Sequence, residues 1–157
     1  MLTRAQKEKI LNDLVDKINR NPAVLMVDFT GLKVSDLSNL RKELKNNEME
    51  LKVVKKTLVQ KMLSHIGINF NIFTFPGSIA LIFSPEEGLI ASKTVYKFSS
   101  EKKEPKLKIL GGFINKNFFS VERIIELAKL PSKEVLLSQL VYTLNSLPRT
   151  LVGVLNG

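Results

Sequence analysis

The sequence has no cysteine, no tryptophan and a single histidine, and these absences exclude several kinds of chemistry. Without cysteine there can be no disulfide and no thiolate metal site, which suits a reducing cytosol. Because His65 stands alone, a metal site with two histidines is excluded, and a catalytic triad could use no other imidazole. His65 is predicted near the end of a lysine-bearing helix, which favours a surface role. We therefore expect no metal, no cofactor and no enzyme activity.

Long hydrophobic runs are also missing. Residues 1–7 lack the apolar stretch of a signal peptide. Apolar runs such as Ile79 to Phe83 are far too short to span a bilayer. The sequence therefore predicts a cytoplasmic protein with no membrane segment.

Negative charge is scarce relative to positive charge. The 157 residues contain 24 Lys and Arg against 15 Asp and Glu, a formal net charge of +9. Such a surplus favours nucleic acid as a partner, or less often an anionic membrane surface. The alternative is that the charge serves only solubility. The chain is long enough for one domain with a real core.

Apolar periodicity predicts strands alternating with helices up to about residue 118 and only helix beyond it. We therefore predict an α+β fold, with residues 1–130 as one domain and residues 131–157 as a C-terminal helical segment. Lys106 to Phe113 and Asn115 to Phe118 suggest a strand and a short return segment around Gly111-Gly112, which is interpreted as a turn or bulge.

Three sequence patterns predict where helices begin. Thr3 followed by Gln6 is a capping box and predicts the start of the first helix. Ser84-Pro85-Glu86-Glu87 predicts another start, with Ser84 at the N-cap and proline at the first helical position. Ser132 is expected to cap the helix of the C-terminal segment.

The stretch Leu51 to Leu58 is the most informative motif of the chain. It starts with strand alternation and ends in helical spacing, so that Lys52, Lys55 and Lys56 surround a strand-to-helix junction. A helix N-terminus offers free N–H groups and a positive dipole end, so cations there are unfavourable unless an anion binds. The motif therefore predicts phosphate contacts. Alternatively, a capping box from Thr57 to Gln60 satisfies those N–H groups internally and leaves the lysines unaffected.

Other cations and aromatics could extend this site. Arg4 and Lys7 lie in the first turn of the first helix, and folding could bring that terminus beside the junction. Arg41, Lys42, Lys45 and Lys61 enlarge the cluster, although Lys42 and Lys45 are interpreted as an ordinary solvated surface. The loop with Phe70, Phe73 and Phe75 could stack bases, but packing into the core is the favoured interpretation.

At these residues the chain resembles a known family, the bacterial large-subunit ribosomal protein of the stalk base (ribosomal protein "L ten"), called P-zero in archaea and eukaryotes. The matching segments occur in the family's order and spacing over nearly the whole chain. They are Asp28 to Leu32, Leu40 to Leu44, Leu51 to Leu58, Gly111 to Phe113 and Leu130 to Glu134.

The resemblance implies a ferredoxin-like (split βαβ) domain with additional helices that binds large-subunit ribosomal RNA in the GTPase-associated region. The RNA-binding residues that it implies, with Arg41 added from the lysine-rich cluster, are Thr3, Arg4, Gln6, Lys7, Thr30, Gly31, Leu32, Arg41, Lys52, Lys55, Lys56 and Thr57. Where the family has asparagine this chain has Lys56, so the helix N-cap is expected to move to Thr57.

The resemblance also implies partners. A C-terminal helix would hold dimers of the stalk protein "L seven/L twelve", which recruit translational GTPases, and ribosomal protein "L eleven" would be the neighbour at the stalk base. The residues expected to grip the stalk dimers are Leu147, Leu151, Val152 and Leu155. Family members continue their last helix further, so this helix is expected to be short unless the sequence is incomplete, and the number of dimers stays open.

A second function of a different class uses the same lysines. The chain could be a translational autoregulator that binds messenger RNA, including its own. Phosphate contacts carry no sequence information, so the sequence does not separate this alternative from ribosomal RNA binding.

Overall fold

A computed structural model describes residues 3–86, 88–101, 107–131 and 134–144. Within them the chain alternates helices and strands around one sheet. The helices are α1 (Arg4–Arg20), α2 (Val34–Asn46), α3 (Lys56–Ile66), α4 (Leu89–Ser100) and α5 (Val121–Lys129), with a short 3-10 helix at Ile72–Thr74. The strands are β1 (Ala23–Asp28), β2 (Glu50–Val53), β3 (Ile79–Ser84), β4 (Lys108–Ile114) and β5 (Asn117–Phe119). Residues 134–144 are helical and are called α6.

The five strands form one antiparallel sheet in the order β2-β3-β1-β4-β5. Because β3 lies antiparallel between β1 and β2, those two strands run parallel and are split by it. This is the strand order of a ferredoxin-like domain, with α3 inserted between β2 and β3 and with β5 added at one edge. The α+β fold with a helical C-terminal segment is therefore confirmed.

Helices cover both faces of the sheet. Alternate residues of the central strands point to opposite faces, so β1 sends Val24 and Met26 to one core and Leu25 and Val27 to the other. The first core packs against α1, α3 and the 3-10 helix, and the second against α2, α4 and α5. Every residue of β1 and β3 is buried, as expected for strands covered on both faces.

The connectivity places three helix N-termini at one end of the sheet. β1 and β2 finish at this end, β3 begins there, and α2 and α3 start directly after the two finishing strands. α1 ends beside the start of β1 and runs back along the sheet for about 25 Å, so its first turn reaches the same end. We call the end of the sheet that holds these three helix N-termini the cationic end. The end where β1 begins is called the opposite end.

The helix start predicted at Ser84 is wrong. Ser84 is the last residue of β3, paired with Ala23, and its hydroxyl bonds the backbone of Glu86 instead of capping a helix. α4 begins at Leu89 with Gly88 as its N-cap. A Cβ at Gly88 would lie 2.8 Å from Ile114 Cδ1, so close packing against β4 sets the helix start.

The predicted strand and return segment correspond to β4 and β5, with ends shifted by one or two residues. Gly111 is inside β4, with φ 145°, where the pairing with β1 shifts register between Met26 and Val27. It therefore belongs to a bulge, one of the two predicted interpretations. The turn itself is made by Asn115 and Lys116, whose φ angles are 52° and 66°.

Candidate nucleic-acid interface

The N-terminus of α3 has no side-chain cap among the described residues. Its N-cap is Lys55, with extended backbone at φ −68° and ψ 139°. The prediction that Thr57 takes over the cap is wrong, since Thr57 already lies inside the helix. The alternative capping box is wrong too, because Gln60 Oε1 accepts a hydrogen bond from Ile72 N at 3.1 Å. The positive end of α3 is therefore left available to an anion.

Lysines surround this uncapped terminus, and they differ in what they contact. Lys55 is exposed and Lys52 is half-buried on β2. Lys56 is half-buried, and its Nζ donates to the carbonyl oxygen of Phe75 at 2.6 Å. Lys56 therefore joins the start of α3 to the loop that returns to β3, while Lys55 projects into solvent.

The N-terminus of α1 is organised differently. Thr3 Oγ1 accepts from Gln6 N at 3.3 Å and Gln6 Oε1 accepts from Thr3 N at 3.0 Å, which confirms the predicted capping box. Arg4 and Lys7 are exposed and the first turn contains no acidic residue. Arg4 pairs with Glu8 at 3.4 Å on an exposed helix surface, a contact worth little. Thr3 and Gln6 thus hold the helix end, and the two cations point to solvent.

The polar turn that follows β1 is hydrogen-bonded to the loop before β3. Asp28 Oδ1 accepts from Thr30 N at 2.9 Å and from Thr30 Oγ1 at 2.5 Å. Thr30 Oγ1 in turn accepts from Ser78 N at 2.9 Å. Gly31, with φ 84°, completes the turn, and the half-buried Leu32 packs against the second core. The predicted turn residues are therefore tied to the segment at Gly77 and Ser78.

A groove of about 670 Å³ lies where these parts meet. Its walls come from the β2–α3 junction, from Ile10 of α1 and from Gly77 and Ser78 before β3. The structure thus places Ile10 of the first helix and Ser78, which is bonded to Thr30, beside the lysine junction, while residues 3–7 do not line the groove. None of the described residues that line the groove is acidic. The lining residues are Ile10, Lys52, Val53, Val54, Lys55, Lys56, Thr57, Leu58, Gly77, Ser78 and Ile79.

Arg41 is not part of this arrangement. It is exposed in the second half of α2, which packs against the opposite face of the sheet through Leu40 and Leu44. About 10 Å of helix separates it from the N-terminus of α2. Arg41 therefore belongs to a different surface from Lys55.

Two features of the cationic end escaped sequence reasoning. Lys33 is the N-cap of α2 and gives it no side-chain hydrogen bond, so a third helix starts beside a cation. Its signal was readable, since the spacing of Leu37, Leu40 and Leu44 predicts a helix that starts near Ser35, just after Lys33. Ser78 had no such signal, because its bond to Thr30 spans 48 residues.

The aromatic loop divides between the two predicted uses. Phe70 and Phe75 are half-buried against the first core, with ring centroids 5.8 Å apart, and Phe70 lies 4.6 Å from Phe118. Phe73 is 56% exposed on the 3-10 helix. Packing into the core is thus confirmed for two rings, and Phe73 alone remains accessible.

Other chemistry is not apparent in the described part of the chain. No group of three or more His, Asp or Glu residues there could hold a metal ion. None of the described helices is long and apolar enough to cross a membrane. The cationic end is accordingly the best-developed candidate site of the described residues.

Comparison with known proteins points to one family. Residues 2–100 match the model of the family described as Ribosomal protein L10. The large ribosomal subunit protein uL10 of Thermotoga neapolitana is 36% identical over 171 positions, covering 99% of this chain and 96% of that relative. The uL10 protein of Thermosipho africanus is 34% identical, covering 100% of this chain and 90% of the relative. The uL10 protein of Phytoplasma mali is 34% identical, with 87% and 83% covered.

Proposed function

Because the chain belongs to the ribosomal protein L10 family, we propose that its cationic end binds large-subunit ribosomal RNA in the GTPase-associated region. Members of this family are structural, non-enzymatic proteins of the large ribosomal subunit, so this chain is a cytoplasmic ribosomal protein that serves translation. Membership confirms the sequence-based prediction that the chain is not an enzyme.

The observation that carries the RNA proposal is electrostatic. Three helix N-termini lie at one end of the sheet, and each has a cation in its first turn or at its N-cap: Arg4, Lys33 and Lys55. The first turns of α1 and α3 contain no acidic residue, whereas the first turn of α2 also contains Asp36. Each cation repels the helix dipole, which costs about 0.3–1 kcal/mol at an exposed position. Bound phosphates reverse that repulsion and accept hydrogen bonds from the free N–H groups at the same time.

The proposed RNA-binding residues have different roles within this interface. Arg4, Lys7, Lys52 and Lys55 contact phosphates, because they are the predicted cations at or beside helix N-termini whose side chains have no partner among the described residues other than the weak Arg4–Glu8 pair. Lys56 positions the loop that carries Ser78 and adds charge. The remaining proposed residues shape the surface and offer backbone or hydroxyl contacts; they are Thr3, Gln6, Thr30, Gly31, Leu32 and Thr57. Arg41 contacts only RNA that extends around α2.

Crosslinking in cells tests this proposal and identifies the RNA. We expect ultraviolet crosslinks to join large-subunit ribosomal RNA to peptides from the first turn of α1 and from the β2–α3 junction. Crosslinks chiefly to messenger RNA through the same peptides would support the autoregulator instead. Crosslinks that avoid both peptides would contradict the proposed interface.

We further propose that residues 131–157 form a segment distinct from the domain of residues 1–130 and that this segment anchors stalk-protein dimers. α6 makes this attractive because six of its seven large apolar side chains are 45% to 77% exposed, Leu136 being half-buried. Exposed apolar residues at helical spacing are typical of a helix that packs against partner helices. These residues are Val135, Leu137, Leu140, Val141, Tyr142 and Leu144.

The four residues predicted to grip the dimers, Leu147, Leu151, Val152 and Leu155, lie outside the described residues, and they remain part of this proposal. Through the dimers the chain would recruit translational GTPases, with ribosomal protein "L eleven" as its neighbour. A pull-down of stalk dimers with the full chain and with residues 148–157 removed tests the assignment. Loss of the dimers supports it, and full retention would move the binding site to α6.

A further inference from the structure

The groove at the cationic end combines two surfaces that phosphate contacts alone do not require. Its floor is apolar, formed by Ile10, Val54, Leu58 and Ile79, all of which belong to or pack against the first core. Lysines stand at its rim, and the described lining contains no carboxylate. A surface that served only the RNA backbone would have no use for an apolar floor, since phosphates gain nothing from it.

The two surfaces together match one kind of ligand. An apolar, flat group fits the floor and an attached anion fits the rim, which is the chemistry of a nucleotide. The volume of about 670 Å³ lies within the range of clefts that enclose small organic ligands. Enzymes that extrude bases hold them between apolar side chains in the same way.

The groove at the opposite end provides an internal comparison. It measures about 360 Å³ and is also partly apolar, with Ile18 and Phe113 among its lining residues. Its polar lining includes the cations Arg20 and Lys116 and the amide side chains of Asn19 and Asn115, and it lies beside the C-terminus of α1, where the dipole repels an anion. The helix dipoles therefore favour a bound phosphate in the groove at the cationic end and disfavour one in the groove at the opposite end, although cations line both grooves.

We propose that this groove takes one unstacked nucleotide of the bound RNA, with its base on the apolar floor and its phosphate at the Lys52 and Lys55 rim. The inference rests on the proposed RNA binding and adds that the RNA offers an unpaired residue here. Continuity with three cationic helix N-termini favours RNA over an acidic peptide as the occupant.

Filling the groove without changing its charge tests this inference. Ile10→Trp enters the groove from α1 and Thr57→Trp from α3, and since Ile10 is half-buried and Thr57 is exposed, at least one variant should fold. Ile90→Trp is the control, since Ile90 is 38% exposed on α4, whose N-terminus lies at the opposite end, and does not line the groove. The probe is deproteinised large-subunit ribosomal RNA, with affinity, salt dependence and base reactivity to dimethyl sulfate measured for each protein.

We expect both groove variants to weaken binding about tenfold, the effect of losing one base contact, with the salt slope unchanged because every lysine remains. One base protected by the wild-type protein should become reactive with both variants, and Ile90→Trp should behave as wild type. Wild-type affinity and base protection in the folded groove variants would overturn the inference and leave the proposed function standing. Absence of salt-dependent binding by the wild-type protein would instead overturn the proposed function.

Discussion

The two ends of the sheet carry the same residue types and use them in opposite ways. At the opposite end, cations occupy the last turns of the helices, with Lys17 and Arg20 on α1 and Lys45 on α2. There they stabilise the helix dipoles. At the cationic end, Arg4, Lys33 and Lys55 stand at helix starts and oppose the dipoles. A lysine cluster therefore indicates a binding site most clearly where its charge opposes the helix dipoles and so destabilises the fold.

The lysines at the two ends also differ in how they contact the rest of the protein. Lys17 forms an ion pair with Glu50 and its Nζ lies 5.8 Å from the centroid of the Phe83 ring. These contacts join α1 to the sheet, so the Lys17 charge is used within the molecule. Lys55 is exposed and caps no N–H group with its side chain. Charge at one end holds the protein together, and charge at the other is available to a partner.

The largest expected difference between the ends concerns two glycines. Gly77, with φ 103°, lies at the cationic end, and a Cβ there would be 2.4 Å from Thr30 Oγ1 and 2.7 Å from Asp28 Oδ2. Gly67, with φ 82°, follows α3 and has nothing within 4 Å of such a Cβ. We expect Gly77→Ala to lower the free energy of unfolding by about 3 kcal/mol, from backbone strain plus overpacking. Chemical denaturation measures this.

Gly67→Ala is the matched control for that prediction. It shares the positive φ without the crowding, so it should cost only about 1 kcal/mol. Equal losses for the two variants would show that the contact of Gly77 with the Thr30 turn does not constrain the cationic end.

A smaller change should raise stability while weakening RNA binding. Lys55→Asp places a good N-cap at α3 and removes a cation from its positive end, so we expect a gain of about 1 kcal/mol in the free energy of unfolding. RNA affinity should fall at least about tenfold at moderate salt. Thermal unfolding and filter binding measure the two effects.

Lys55→Ala separates the cap from the charge. It should weaken RNA binding less than aspartate does and should gain little stability, because alanine cannot cap. If Lys55→Asp instead destabilised the fold, the idea that lysine is held at this N-cap for a ligand would lose its basis.

The smallest expected effect comes from the opposite end. Lys17→Ala removes the ion pair with Glu50 and a favourable dipole contact, so unfolding should become easier by about 0.5–1 kcal/mol. RNA affinity should stay at the wild-type value. A binding loss as large as that of Lys55→Ala would show that the two ends do not have separate roles.

Features that depend only on residues close together in the chain could be predicted from the sequence, and features that depend on distant segments could not. The capping box of α1 spans Thr3 to Gln6 and needs no other part of the chain, so it was predicted correctly. The start of α4 depends on Gly88 packing against Ile114, and the Gln60 side chain is used by Ile72. Both contacts join segments that are distant in sequence. The local capping patterns at Ser84 and Thr57 therefore predicted the wrong helix caps.

Prediction of the candidate site from the sequence was limited in the same way. Charge at the first turn of α1 and at the β2–α3 junction could be read from Arg4 and Lys55, because each directly adjoins a predicted helix. The groove could not, since Ile10 and Ser78 meet the junction only after the sheet has formed. Arg41 was grouped with the site by sequence proximity, although α2 packs on the other face.

The salt dependence of RNA binding tests the central contrast most directly. Changing Lys52, Lys55 and Lys56 to alanine removes three charges from the cationic end, and changing Lys42, Lys45 and Lys116 removes three from α2 and the β4–β5 turn toward the opposite end. We predict that the first variant loses on the order of a hundredfold in affinity at 0.1 M salt, and that its slope of log K against log salt flattens by about 2 to 3. The second should keep the wild-type slope. Equal flattening by both variants would contradict the account, because it would show a response to net charge alone.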